Sequence, residues 1–192
     1  MRVGVVALAL HVASSVPASA EWQIKPFLGT TFSGDTTLFD PQNSASGRNV
    51  IVGVSGELLG EVIGVEGDLG IAPGFFTDGL LILGSRVTTL TGNIVVAMPR
   101  RMARYTLRPY FVGGAGFMRA SSDTSLDALP ITSTRPAVDL GGGVTGFLSK
   151  RVGINWDVRH FGSVGTGQIR GQSIGPEQLS FWRASVGLAI RY

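Results

Sequence analysis

From Trp22 onward the apolar residues recur at every second position, in eight separate stretches. That period predicts strands with one apolar and one polar face. In the first stretch, Trp22 to Phe32, one face carries Trp22, Ile24, Pro26 and Leu28, and the other carries Gln23, Lys25, Gly29 and Thr31. Val50, Val52 and Val54 then alternate with Ile51, Gly53 and Ser55, and a tight connection near Leu58 to Gly60 follows. The third stretch is the sharpest: Ile63, Val65, Leu69 and Ile71 oppose Gly64, Glu66, Asp68 and Gly70. The fourth sets Leu90, Ile94 and Val96 against Thr89, Thr91 and Asn93. The fifth, Leu107 to Met118, is ambiguous, with Phe111 and Phe117 on one face and Tyr110, Val112 and Met118 on the other. Val138, Leu140, Val144 and Leu148 oppose Asp139, Gly141, Gly143 and Thr145 in the sixth. The seventh has Val152, Ile154, Trp156 and Val158 against Asn155, Asp157 and Arg159, after a two-residue turn at Ser149-Lys150. The eighth alternates Trp182, Ala184, Val186, Leu188, Ile190 and Tyr192 with Arg183, Ser185, Gly187, Ala189 and Arg191.

The connections alternate between long and short, beginning and ending with a long one. An even-stranded meander with long loops at one end and turns at the other predicts an all-β fold, an eight-stranded antiparallel up-and-down transmembrane β-barrel. Only helices and closed barrels cross lipid, because every backbone N–H and C=O needs a partner there. After Ala20 no stretch approaches the ~18 consecutive apolar residues of a spanning helix. On this layout residues 33–48, 72–85, 119–135 and 162–178 are extracellular, and both mature termini are periplasmic.

The first twenty residues read differently. Met1-Arg2 is a short positive region, Val3 to Val16 is apolar with few interruptions, and Ala18-Ser19-Ala20 is a small-x-small cleavage pattern. We expect residues 1–20 to be a cleaved signal peptide and residues 21–192 to be the barrel. A membrane anchor needs a longer apolar run.

Composition narrows the picture further. The 192-residue chain has no cysteine, which removes disulfide scaffolds, thiol enzymes and cysteine-based zinc sites. Only 15% of residues are charged, and the mean hydropathy is +0.28, which excludes a disordered chain. The net charge of +3 is too small and too dispersed for a nucleic-acid binder. Alternation alone does not tell inside from outside, so a soluble eight-stranded barrel such as a lipocalin remains the competing fold. Aromatic residues at strand ends (Trp22, Phe32, Tyr105, Trp182 and Tyr192) favour the membrane, where they form interfacial girdles.

The last stretch, WRASVGLAIRY, resembles the C-terminal assembly signal of bacterial outer-membrane barrels, carried by Trp182, Val186, Leu188, Ile190 and Tyr192. The segment VIGVEGDLGIAPGFF resembles the third strand of the small eight-stranded OmpA-like outer-membrane β-barrel domain family. The resemblance implies a Gram-negative outer-membrane protein, inserted by the barrel assembly machinery and surrounded by outer-membrane lipids and lipopolysaccharide. It implies fold and place more than activity.

Candidate chemistry is sparse, and no cofactor is expected. Gly141 to Gly146 spells G-x-G-x-x-G, but a dinucleotide site needs that turn between a strand and a helix. Here it lies within a strand, where small residues fit a narrow lumen. His160 is the single histidine after the signal, so a metal centre is not expected. One family of eight-stranded barrels deacylates lipid A with a Ser–His–carboxylate arrangement, and His160, Ser163 and Glu177 are the candidates. His160 and Ser163 are three residues apart, so a continuing strand puts them on opposite faces. The charged residues on the inferred lumen face say more. Glu66, Asp68, Asp139 and Asp157 share it with Lys25, Arg159 and Arg183, and pairing there makes a polar plug. Arg48, Arg86, Arg119, Arg135 and Arg170 lie near the long-loop ends, where lipopolysaccharide phosphates would meet them. Residues 99–104 carry three further arginines toward periplasmic phospholipid heads. These features predict a structural or surface-interaction barrel. A narrow small-solute channel is the alternative, and an outer-membrane lipid hydrolase is a more distant one.

Overall fold

A computed structural model describes residues 20–36, 49–74, 82–103, 107–124, 131–164, 168–169, 172–173 and 179–192. Residues 1–19 of the expected signal peptide 1–20, together with Arg48, Tyr105, Arg170 and Glu177, lie outside the described residues.

The strands are β1 (Glu21–Thr36), β2 (Asn49–Leu59), β3 (Ile63–Pro73), β4 (Ile82–Ala97), β5 (Leu107–Thr124), β6 (Ile131–Phe147), β7 (Val152–Ser163), β8 (Gln168–Ile169), β9 (Gln172–Ser173) and β10 (Leu179–Arg191). Eight of them form a closed barrel in the order β1-β10-β7-β6-β5-β4-β3-β2, every neighbour pair antiparallel. The short strands β8 and β9 pair with each other within the connection from β7 to β10.

Following paired residues around the ring from Phe32, through Trp182, His160, Leu140, Gly113, Ile94, Val65 and Leu58, returns to β1 at Trp22, ten positions away. Eight strands with that stagger tilt by about 40° from the barrel axis. Closure leaves no unpaired sheet edge. At the seam the N–H of Tyr192 donates to the carbonyl of Trp22 at 3.0 Å. Near the other end of β1 a bulge separates Phe32 from Asp35, and Ser33 there takes a positive φ of 49°.

Exposure decides between the soluble and the membrane barrel. Ile63, Ile94, Phe111 and Leu140 are between 62% and 77% exposed, whereas Lys25, Asp68, Arg159 and Arg183 are at most 2% exposed. A soluble barrel has the opposite arrangement. With hydrocarbon as the outer solvent, the apolar wall needs no cover and the charges belong inside. Trp22, Trp156, Trp182 and Tyr192 all stand on this outer wall.

The structure sharpens three expectations. The strands at the long-loop end run further than the apolar alternation does. β4 starts at Ile82, and β5 and β6 leave only residues 125–130 between them, within the expected loops 72–85 and 119–135. Ladder hydrogen bonds continue above the membrane, where the outward positions are polar because they face water or headgroups. The β6–β7 turn uses Leu148 to Arg151 rather than two residues, held by Ser149 Oγ accepting from the N–H groups of Arg151 and Val152. On β5 it is Phe111 and Phe117 that face out, while Tyr110, Val112 and Met118 face in.

Candidate functional site

Along the eight barrel strands every second described side chain enters the lumen, whose middle is charged and whose two ends hold apolar clusters. Toward the long-loop end lies an apolar layer that includes Ile51, Val87, Met118, Phe161, Leu179 and Phe181, with the rings of Phe161 and Phe181 stacked at 5.3 Å. Toward the short-turn end lies a second apolar cluster, Leu59, Val95, Ala97, Tyr110 and Val112, which shares that part of the lumen with the buried polar side chains of Gln23, Arg108, Thr145 and Asn155. Charges fill the space between. The small residues of the lumen face make room for them. A Cβ on Gly141 would stand 2.8 Å from Arg159 Cγ, and one on Gly143 would stand 2.6 Å from the Tyr110 hydroxyl. The G-x-G-x-x-G stretch is therefore packing within β6.

In the ionic layer Arg159 of β7 reaches straight across the barrel. Its Nη1 donates to Glu66 Oε1 at 2.6 Å and its Nη2 to Glu66 Oε2 at 3.2 Å, while its Nε donates to Asp157 Oδ1 at 2.7 Å. Arg183 of β10 clamps Asp68 in the same way, at 2.8 and 3.0 Å. Its remaining reach extends to Asp157 at 3.5 Å, and its guanidinium lies 4.4 Å from the Phe27 ring centre and 4.9 Å from that of Phe161. Bidentate pairs of this kind are among the stronger hydrogen-bonded contacts in proteins. Asn93 donates to Glu66 at 3.1 Å, and the Tyr110 hydroxyl donates to Asp157 Oδ2 at 2.7 Å. Lys25 pairs with Glu57 and lies 3.8 Å from Glu66. At the short-turn end Arg108 donates to the carbonyls of Met98, Gly60 and Glu61, tying two turns to the lumen.

Asp139 is the exception. It is buried, its nearest cation atom is Arg159 Nη1 at 3.6 Å, and neither of its oxygens accepts a hydrogen bond. The layer thus holds the carboxylates of Glu57, Glu66, Asp68, Asp139 and Asp157 against the cations Lys25, Arg159 and Arg183.

All seven lumen charges expected from the sequence (Lys25, Glu66, Asp68, Asp139, Asp157, Arg159 and Arg183) occupy this one layer. Glu57 and Tyr110 belong to it too but were not expected. Glu57 continues the Ile51, Gly53, Ser55 alternation, a usable signal hidden by its closeness to the turn. Tyr110 sits on the strand whose two faces look alike. The arginines near the long-loop end separate. Arg86 and Arg119 stand on the outer wall, but Arg135 pairs in register with inward-facing Met118 and lines a hollow with Met118, Ala120, Ser163 and Leu179. Arg135 therefore faces the barrel mouth, not the lipid side. His160 stands on the outer wall with its ring edge-on to Trp182 at 5.0 Å. Ser163 points inward and accepts the N–H of Leu179 at 2.9 Å. The structure does not bring the two together. On β10, Trp182, Val186 and Leu188 face outward and Ile190 is half-buried, while Tyr192, just past the strand, hydrogen-bonds to Trp22 across the seam.

The sequence matches no protein-family model and no curated protein. Solved structures do match in shape. Neisserial surface protein A aligns over 91% of this chain and 99% of its own, with 11% identity and a TM-score of 0.66. The outer membrane protein OprG from Pseudomonas aeruginosa aligns over 90% and 96%, with 13% identity and a TM-score of 0.59. Ail, the attachment invasion locus protein of Yersinia pestis, solved in complex with the heparin analogue sucrose octasulfate, aligns over 89% and 97%, with 12% identity and a TM-score of 0.51. The chain has the fold of the small eight-stranded outer-membrane β-barrels.

Proposed function

We propose that this chain is an integral outer-membrane barrel of the OmpA-like type, with a closed lumen and a structural or surface-interaction role. The observation that carries this is the layered interior. A charged layer whose members clamp one another fills the middle of the barrel, and Met118, Phe161, Leu179 and Phe181 pack across the lumen toward the long-loop end. Eight strands leave an interior that side chains can fill. The barrel sits in an outer membrane, is placed there by the barrel assembly machinery acting on its last strand, and turns its long connections outward. Ail binds a sulfated sugar analogue on the same architecture, which supports a surface role for such barrels without naming a ligand here.

The test is conductance of the refolded protein in planar bilayers. No unitary steps are expected from the native chain. Stable unitary conductance would replace this reading with the narrow channel, whose support is the carboxylate excess at Asp139. We propose no hydrolase role, because His160 and Ser163 face opposite sides of β7.

A further inference from the structure

Two arginines of the outer wall have no part in the lumen. On β4 and β5 the register pairs Leu90 with Phe117, then Thr88 with Arg119, then Arg86 with Ser121. Read from the membrane outward, an apolar pair is followed by two rungs in which the arginine changes strand. The guanidinium groups thus stand on a diagonal, where side chains of neighbouring strands come within reach of a common partner. With Thr88 and Ser121 they frame a hollow of about 350 Å³. Both arginines are exposed, and among the described residues neither has a hydrogen-bond or ion-pair partner. The nearest outward neighbours on the flanking strands, Pro73 on β3 and Thr134 on β6, carry no charge.

We propose that this hollow is a site for a phosphate group of lipopolysaccharide, gripped by Arg86 and Arg119 and completed by the hydroxyls of Thr88 and Ser121. This rests on the outer-membrane reading above. Three features point to a phosphorylated lipid rather than to a soluble anion. The hollow opens sideways on the wall that faces lipid. It lies one rung beyond Leu90 and Phe117, which are 55% and 59% exposed and would lie against acyl chains. It also belongs to the long-loop end of the barrel, which meets the outer leaflet. Planar guanidinium forks suit phosphate oxygens, and two of them balance a doubly charged group.

The experiment uses the full mature chain refolded into phosphatidylcholine vesicles that contain either bisphosphorylated or dephosphorylated lipid A, with heat-modifiable gel migration scored first. Retention of bisphosphorylated lipid A is then measured by native mass spectrometry after transfer to detergent. The native chain should retain lipid A, and should not retain lipid A stripped of both phosphates. Arg86→Gln with Arg119→Gln should lower retention by about tenfold or more, since two charge-assisted contacts are lost. Lys150→Gln, at the opposite end, should change nothing. The site is overturned by equal retention in the double variant, by equal retention of the stripped lipid, by an equal loss in Lys150→Gln, or by full displacement with millimolar inorganic phosphate. If the chain shows no heat-modifiable form at all, the membrane-barrel reading fails and takes the site with it. A folded barrel that ignores lipid A sinks the site alone.

Discussion

Arg183 is the most informative residue to remove. Its two terminal nitrogens hold Asp68 at 2.8 and 3.0 Å, and without them the nearest cation atom to Asp68 is Arg159 Nη1 at 3.9 Å. Arg159 is already occupied by Glu66 and Asp157. Arg183→Met keeps most of the volume between Phe27 and Phe161 but leaves Asp68 as a buried charge without a hydrogen-bonded cation. Breaking a buried pair from one side costs about 3–5 kcal/mol. The reverse deletion is milder. Asp68→Ala leaves Arg183 with Asp157 at 3.5 Å and with two ring faces, so the expected loss is about 2–3 kcal/mol, the worth of hydrogen bonds to a charged group. In the double variant neither orphan exists, and its loss should fall short of the sum of the single losses by about 1–3 kcal/mol. The assay is reversible urea unfolding in lipid vesicles, followed by tryptophan emission. Trp22, Trp156 and Trp182 all stand on the outer wall, so emission reports their removal from lipid. Strict additivity would refute the coupling, as would an Arg183→Met barrel within about 1 kcal/mol of the native one. Either result would mean that the layer is hydrated, and would favour the channel.

Further substitutions test the two faces and the topology. Gly53→Val should abolish the heat-modifiable folded form, because a Cβ there would lie 2.2 Å from the Leu69 carbonyl and 2.4 Å from the Phe27 ring; Gly67→Val, which meets nothing within 4 Å, should fold normally. Val65→Arg should destabilise by about 2–4 kcal/mol in vesicle unfolding while Val65→Leu stays near zero, and equal values would mean that Val65 does not face hydrocarbon. A single cysteine at Val164 should react with an impermeant thiol reagent on intact cells, and one at Lys150 only after permeabilisation. The reverse pattern would invert the barrel.

The parts of this fold legible in sequence are those where lipid and lumen make opposite demands. On β3, lipid selects Val65 and Leu69 and the lumen selects Glu66 and Asp68, so facing and pairing follow from period two. β5 hid its facing for a physical reason. It contributes to both apolar layers of the lumen, through Tyr110 and Val112 at one end and Met118 and Ala120 at the other, so its inner face is as apolar as its outer one. Strand ends were obscured for a different reason. Beyond the membrane the outward positions of β4 and β5 become Arg86, Thr88, Arg119 and Ser121, and the contrast that marks a strand fades while its ladder continues. The same polar rungs hid the phosphate hollow: five arginines near the long loops stand out in sequence, but only register shows that Arg86 and Arg119 share an outer diagonal while Arg135 turns inward.

Register also explains what the ionic layer adds that an apolar core would not. In the ring order, β3 and β7 are diametrically opposed, so the Glu66–Arg159 clamp spans the full width of the barrel between residues that share no ladder. A slip of one residue between any two strands turns apolar side chains inward and charges outward, and hydrophobic patterning already forbids it. A slip of two preserves every facing and is invisible to that patterning. It changes the stagger of ten positions and moves Arg159 by about 6–7 Å along the strand relative to Glu66, well beyond the reach of a 2.6 Å hydrogen bond. The clamps of Arg159 and Arg183 therefore discriminate against misregistered barrels that the apolar wall would accept. Pairing offsets part of their desolvation cost, and what they add beyond it is the choice of one closure among several.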